Sequence, residues 1–403
     1  MRIAGIVAEY NPFHPGHAYQ IRQTRAQLDP DAGIVAVMSG NWVQQANCAV
    51  ADKWRRTRLA LMGGADLVLE LPTVWATASA EGFARGAVSI LHACGVAETL
   101  SFGSEHGDPR PLAQIAQCLD SPEYQSCLRP LVERGLPFAV CRQAAVAQLL
   151  GEDLSALLSA PNNNLGIEYI RALNALGSPI RPITVLRQGA AHNSIREDAP
   201  DFLSATQIRR DLFSGDLTHA QPYLISGAQH ILLDDPLGLA HLSRAERAIL
   251  ARVRTMTEKD WAALPDSGQS EGLPHRLEKA GARCTSLEEF YNLTKTKRYT
   301  HARLRRLVLW AYLGLNARDI PNTPPYIRVL GFNRRGQEIL KGMKQSAALP
   351  LVTKPAHART LSEEGRRLFE LEARFTDLYD LCLPQIPQPG REWSQGPILL
   401  SVQ

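Results

Sequence analysis

Long apolar runs are missing from this chain of 403 residues. No stretch reaches the ~18 apolar residues a membrane helix needs, and the N-terminal MRIAGIVAEYNP is too short an apolar run for a signal peptide. A soluble protein with no membrane partner is expected. Paired cysteines are missing too. The seven present, Cys48, Cys94, Cys118, Cys127, Cys141, Cys284 and Cys382, are odd in number and include no C-x-x-C, which fits neither a disulfide framework nor a zinc ribbon. A reducing cytoplasm is their natural setting. Charge of one sign is also scarce: 44 Lys and Arg against 40 Asp and Glu leave a formal +4, which permits a polyanionic partner without arguing for one. No internal repeat, low-complexity tract or metal-binding carboxylate cluster stands out.

What is present is alternation. At ~100–200 residues per domain the length suggests two domains, and the first half interleaves strand-like and helix-like segments, the signature of an α/β domain with a largely parallel sheet. Strands are predicted at Ile3 to Ala8, 33–38 (GIVAVM), 65–71 (ADLVLEL), 98–103 (ETLSFG) and 181–186 (RPITVL). Amphipathic helices are predicted at 16–28, 51–63 and 78–93, mostly helix over 109–176, and a helix over 204–213 capped by Ser204. These segments define a first domain over 1–220. From 226 to 403 the alternation stops, and segments such as HARLRRLVLWAYLG predict a mainly helical region.

Residues 9 to 17, EYNPFHPGH, follow the first predicted strand directly. In a doubly wound sheet ligands bind there, at the switch point beyond the strand ends. Pro15 and Gly16 allow a tight turn, and the helix that follows offers free N–H groups and a positive dipole end to a phosphate. His14 and His17 would donate hydrogen bonds to phosphate oxygens as charge develops. An H-x-x-H pair elsewhere reads as surface histidines or a chance metal pair; its position after the first strand favours the phosphate role.

His14-Pro15-Gly16-His17 matches the H-x-G-H signature of the nucleotidyltransferase superfamily, whose members attack the α-phosphate of ATP and release pyrophosphate. Longer strings are more specific. GIVAEYNPFHPGH, VMSGNWVQ, DKWRRTRLALMGGADLVLELP, FGSE, PNNNLGIEYIRAL, SATQIRR, KTKRYTHARLRR and YIRVLGFNRRG, in that order, resemble the bacterial tRNA(Met) cytidine acetate ligase family. The resemblance implies a Rossmann-like catalytic domain that makes acetyl-adenylate from ATP and acetate, then acetylates the wobble cytidine of elongator tRNA(Met) to N4-acetylcytidine. It implies His14 and His17 as catalytic residues and ATP contacts from Val7, Ala8, Glu9, Tyr10, Asn11, Pro12, Phe13, Pro15 and Gly16. Mg²⁺ is expected to arrive with the triphosphate. One segment departs from the pattern: where the family usually reads VQRGEPA, this chain has Val43-Gln44-Gln45-Ala46-Asn47-Cys48-Ala49.

Other constellations carry two readings each. Gly103 ends the fourth strand, where the lack of a side chain lets a nucleotide approach, or merely makes a turn; Ser104 and Glu105 follow it. Asn162 and Asn163 cap a helix or, as the resemblance implies for one asparagine of this motif, bind ATP. Arg187 falls on the ligand side after the strand at 181–186, suited to phosphate or simply solvated. Ser204, Thr206 and Arg209 resemble the superfamily's second phosphate motif and read physically as a capped helix start. Lys53 and the arginines at 55, 56 and 58 track a phosphate or form a solvated face. Lys295, Lys297, Arg298, Arg303, Arg305 and Arg306, with no acid among them and Tyr299 and His301 interleaved, have the expected footprint of RNA binding, or are the solvated charges of a helix whose Leu304, Leu307 and Val308 pack, and one face can do each. Two rival functions remain: a small-molecule adenylyltransferase of the same superfamily, and a catalytically silent tRNA-binding protein. The sequence does not indicate an oligomeric state.

Overall fold

The structure, a computed structural model, describes residues 1–187, 203–216, 218, 220–268 and 272–401. Successive strand residues face opposite sides of a sheet, and the first strand, β1 (Ile3–Ala8), divides accordingly. Ala4 and Ile6 enter one apolar cluster with Ile34, Ala36 and Val68; Ile3 enters another with Val35, Val37 and Leu67. A strand buried on both faces needs helices on both. They come from α1 (Pro15–Leu28), α2 (Lys53–Met62), α3 (Ala80–Ala93) and α4 (Pro161–Ala175). After β1 the strands are β2 (Gly33–Ser39), the short hairpin of β3 (Trp42–Val43) and β4 (Asn47–Cys48), β5 (Leu67–Leu71), β6 (Thr99–Ser104) and β7 (Arg181–Leu186).

The sheet runs β5-β2-β1-β6-β7, all parallel, with Ile3 opposite Gly33, Val35 opposite Leu67, Ala4 opposite Thr99 and Thr99 opposite Arg181. Strand order reverses between β1 and β6. That gap, at the carboxyl ends, is the crevice where a doubly wound sheet takes its ligand. The helix α5 (Ala205–Ser214) begins beside it, with Ser204 at its N-cap accepting from Gln207 N–H at 3.2 Å.

Beyond residue 226 the chain is mainly helical, including α6 (His301–Leu313), α7 (Arg334–Ser346), α8 (Glu363–Asp380) and α9 (Arg391–Ser394). It also contributes β8 (Ile327–Phe332), β9 (Leu351–Val352) and β10 (Ile398–Leu399), which periodicity does not predict. β8 pairs antiparallel with β5 and carries β10 and β9 at its side, so the second half extends the sheet of the first. The string FNRRG then turns sharply against β5. Asn333 caps α7 through Gly336 N–H and donates to Asp66, and a Cβ at Gly336 would lie 1.9 Å from the Asp66 carbonyl, so only glycine fits.

The halves are also stitched by buried ions. Lys53 Nζ sits 2.7 Å from Glu70 and 2.5 Å from Glu392, Arg328 reaches Glu392 at 3.5 Å, and Glu372 accepts from the Thr73 amide and hydroxyl. Arg391 bridges Asp380 and Asp52, each at 2.9 Å. The reading of Lys53 as a substrate contact is therefore corrected: it is fully buried and held by two carboxylates from distant segments.

Candidate active site

The turn after β1 places two imidazoles over the crevice. His14 is the N-cap of α1: its Nδ1 accepts from Gly16 N–H at 3.1 Å, while His17 Nδ1 accepts from the His14 N–H at 3.2 Å, a reciprocal capping box made of histidines. The rings lie 3.8 Å apart by centroid, and Tyr10 and Phe13 press on His17 at 4.8 and 5.4 Å. With both Nδ1 atoms accepting, each neutral ring carries its proton on Nε2. Burial, then the neighbouring Arg187 and Arg209, push His14 down to about 3; burial, His14 and Arg187 hold His17 well below its ordinary value. Both are thus neutral N–H donors.

This corrects the expectation of free backbone donors at α1. Pro15 has no N–H, Gly16 is spent on His14, and His17 and Ala18 donate to the His14 carbonyl. The imidazoles replace those donors.

The cavity around them is lined by Val7, Ala8, Glu9, Tyr10 and Asn11 from the β1 turn, by Gly16 on α1, and by Gly103, Asn162, Arg187, Ser204, Thr206 and Arg209. Gly103 lies so close to Arg187 that an added Cβ would stand 3.3 Å from its Cγ. Arg209 donates to the Asn11 carbonyl at 2.7 Å and to Thr206 Oγ1 at 3.2 Å, tying α5 to the β1 turn. Burial lowers both Arg187 and Arg209, countered by Glu105 and Glu9 respectively. Two cations and two imidazole N–H groups therefore converge on one space, an arrangement matched to a polyphosphate.

Four residues of the expected set do not line it. Pro12, Phe13 and Pro15 shape the turn, Phe13 being fully buried beneath Gly63. Asn163 is buried with its amide occupied: Oδ1 accepts from the Glu105 and His106 amides, and Nδ2 donates to Leu157 O. Glu105 in return accepts from Asn162 N, Asn162 Nδ2 and Asn163 N, capping a helix α4 that has no side-chain cap of its own. Ser104 Oγ likewise serves the loop, accepting from Gly107 N–H at 2.9 Å.

Sequence reading missed the remaining walls. Phe83, Phe102 and Tyr169 supply apolar lining, and Val43, Gln44, Gln45 and Asn47 of the β3–β4 hairpin line the cavity as well. The hairpin is the very segment that departs from VQRGEPA. Ala46 there has φ 56, a left-handed conformation that favours glycine. The apolar lining gave no signal, since its residues come from two helices and a strand far apart in the chain.

The basic stripe is partly engaged within the protein. Arg303 donates to the Asp266 carbonyl at 3.0 and 3.1 Å, and Arg306 pairs with the Asp266 carboxylate at 2.9 Å. The acid that engages them lies outside the segment, 37 positions upstream of Arg303. Lys295 donates to Thr296 O, and Tyr299 is buried, so it offers no open stacking face. Lys297, Arg298, His301 and Arg305 are exposed.

The chain matches the family described as HIGH Nucleotidyl Transferase over residues 1–392. It is 36% identical over 390 residues to the tRNA(Met) cytidine acetate ligase of Thermoanaerobacter sp. (strain X514), covering 95% of this chain and 96% of that protein. To the enzyme of the same name from Acetivibrio thermocellus it is 33% identical over 419 residues, covering 99% and 100%. Thermotoga maritima TmcAL bound with alpha-thio ATP superposes on it with a TM-score of 0.92 at 32% identity, and the apo form with 0.94 at 33%, each covering 100% of both chains.

Proposed function

The chain belongs to the HIGH nucleotidyl transferase family and, within it, to the tRNA(Met) cytidine acetate ligases, and from that premise we propose that it activates acetate with ATP and acetylates the wobble cytidine of elongator tRNA(Met). The observation that carries the reading is the histidine pair. Two neutral Nε2–H donors, fixed by their own backbone, stand at the switch point in a cavity that Arg187 and Arg209 also line.

In this reading the triphosphate lies along the two arginines and the start of α5, and the imidazoles hold the α-phosphate. The acetate oxygen attacks the α-phosphorus in line, pyrophosphate leaves, and the donors strengthen as negative charge grows on the phosphoryl oxygens. Because the rings are neutral they stabilise that charge without over-binding the ground-state phosphate. Glu9 is the one acidic side chain lining the cavity among the described residues, and a single carboxylate is no cage for a divalent cation. Mg²⁺ would come with the triphosphate and would supply positive charge to the pyrophosphate leaving group. The cytidine amine then attacks the acetyl carbonyl and AMP departs. The setting is the cytoplasm, in keeping with seven unpaired cysteines.

The test is pyrophosphate release from ATP with acetate, with and without tRNA. Acetate-dependent release without tRNA separates the ligase from a silent tRNA-binding protein, and acetylated tRNA separates it from a small-molecule adenylyltransferase. His14→Ala or His17→Ala is expected to lower turnover by about 10²-fold or more while ATP binding weakens far less. Near-normal turnover in either variant would remove the assigned role.

A further inference from the structure

Acetyl transfer to an exocyclic amine needs something the first step does not: a base. The lone pair of the cytidine N4 is delocalised into its ring, so an N–H proton has to leave as the nitrogen bonds to carbon. The N–C bond forms, the bond from acetyl carbon to the phosphate oxygen breaks with its electron pair leaving on AMP, and one proton must go to the protein. The cavity restricts what can take it. Neither histidine offers a lone pair, because each Nδ1 already accepts a backbone N–H and each Nε2 carries the proton. Burial raises the phenols of Tyr10 and Tyr169 and keeps them protonated. Arg187 and Arg209 are cations. The one carboxylate among the described lining residues is Glu9, one residue past the end of β1.

We propose that Glu9 is the general base of the acetyl-transfer step, a role that rests on the acyl-adenylate reading above. Its carboxylate is held, not loose: Oε1 accepts from the Gln44 N–H at 2.7 Å, and Oε2 accepts no hydrogen bond among the described residues. The N–H that holds it belongs to the β3–β4 hairpin, so that hairpin positions the base through backbone whatever its side chains. A carboxylate in a phosphate site repels its ligand and is a poor choice for binding ATP; it suits an incoming amine. Burial raises Glu9 above the ordinary carboxylate value and so strengthens it as a base, while the Gln44 N–H, Arg209 on α5 and Arg56 on α2 oppose that rise. Tyr169 on α4 also faces it, and the neutral His14 and His17 share its cavity.

The experiment uses the full chain with Glu9→Gln and measures two half-reactions separately. Adenylate formation is followed as acetate-dependent exchange of pyrophosphate into ATP without tRNA, and transfer as single-turnover acetylation of tRNA across a pH series. Transfer is expected to fall by about 10²-fold or more, with adenylate formation falling far less. The wild-type transfer rate is expected to climb with pH as Glu9 ionises, and that limb disappears in Glu9→Gln. Glu9→Asp, which keeps a carboxylate of different reach, is expected to restore part of transfer with a pH limb that is present but shifted. Transfer at the wild-type rate, or an equal fall in both half-reactions as for a metal ligand or a purely structural group, overturns the proposal. If Glu9→Gln does not fold, the Glu9→Asp profile decides: a pH limb identical to wild type overturns it, a shifted one supports it. Absence of acetate-dependent exchange in the wild type would instead count against the acyl-adenylate reading, leaving the transfer measurement to judge Glu9.

Discussion

Two segments of this chain look alike in sequence and end in opposite places. DKWRRTR opens α2 and KTKRYTHARLRR leads into α6, each a basic run on a helix start. In α2 three of the four basic side chains are buried. Lys53 is held by two glutamates, Arg55 by Asp52 and the Gly238 carbonyl, and Arg56 by the carbonyls of Glu9, Ser39, Gly40 and Ala51; Arg58 alone is exposed. In α6 the charges stay at the surface, and a single aspartate engages two of them. A basic run therefore says nothing of its fate. What decides it is whether acceptors arrive from elsewhere, and for Lys53 they come from Glu70 and from Glu392 at the far end of the chain. Arg56 shows the functional use of burial: it fixes the backbone of Glu9, and so the turn that carries the histidines.

The contrast breaks most sharply at Lys53. Lys53→Ala leaves Glu70 and Glu392 buried without their cation, and stability is expected to fall by about 3–5 kcal/mol. Arg58→Ala, on the same helix but exposed, is expected to change it by less than about 0.5 kcal/mol. Denaturant unfolding of both variants measures the difference. Comparable losses would mean the buried ions are not what distinguishes the run.

The same buried network sharpens the comparison through pH. Burial first, then the charge of Glu70, push the Glu372 carboxyl up to about 8, against the pull of Lys53 and the Thr73 hydrogen bonds. The folded chain thus keeps a proton that the unfolded chain, titrating near 4.5, gives up. This stabilisation is complete below about 4.5 and is lost as pH rises through about 8. Glu372→Gln, which cannot ionise, is expected to flatten the decline of the denaturation midpoint between those values. Part of the slope remains with Glu70, raised in the same direction. An unaltered slope would show that Glu372 is ionised in the fold.

Much of the site was legible because it is local. The strands β1 and β7 fall on the predicted residues, Ser204 caps as its position before an apolar-periodic run requires, and H-x-G-H lies in nine residues after a strand. What escaped depends on distant pairing. β8 is a six-residue segment, IRVLGF, buried against β5 with a charged Arg328 inside it and helices on either side, and so short a segment shows neither clean alternation nor a pure apolar run. The asparagines at 162–164 could not be told apart by sequence; the fold spends the Asn163 side chain on the Glu105 and His106 amides and the Leu157 carbonyl, while Asn162 lines the cavity. Asp266 lies outside the basic string it neutralises.

A smaller effect is expected from the exposed side of α6. Neutralising Lys297 and Arg305 together is expected to weaken tRNA binding and flatten its dependence on salt by roughly 0.7–0.9 logarithmic unit of slope per lost phosphate contact. Adenylate formation, which belongs to the cavity, is expected to survive. A tRNA titration at several salt concentrations, paired with tRNA-free pyrophosphate exchange, checks both. Wild-type affinity and slope would make the exposed cations a solvated face like that of Arg58.

The finest test turns on Asp266, whose carboxylate pairs with Arg306 at 2.9 Å and lies 3.4 Å from Arg303. Its backbone has φ 52, a left-handed conformation that asparagine tolerates well. Asp266→Asn therefore keeps the turn and the carbonyl that accepts from Arg303, and removes only the negative charge. If α6 faces tRNA, that charge repels the same phosphates the stripe attracts and holds Arg306 away from them. Removing it is expected to tighten tRNA binding and steepen the salt dependence by at most about one contact's worth, roughly 0.7–0.9 logarithmic unit. Titration of Asp266→Asn beside the Lys297 and Arg305 variant measures the two effects in opposite directions. An affinity and slope unmoved by Asp266→Asn, with a fall in the other variant, would confine the RNA-facing charge to the exposed residues and leave Arg303 and Arg306, like Lys53 and Arg56, as cations spent within the fold.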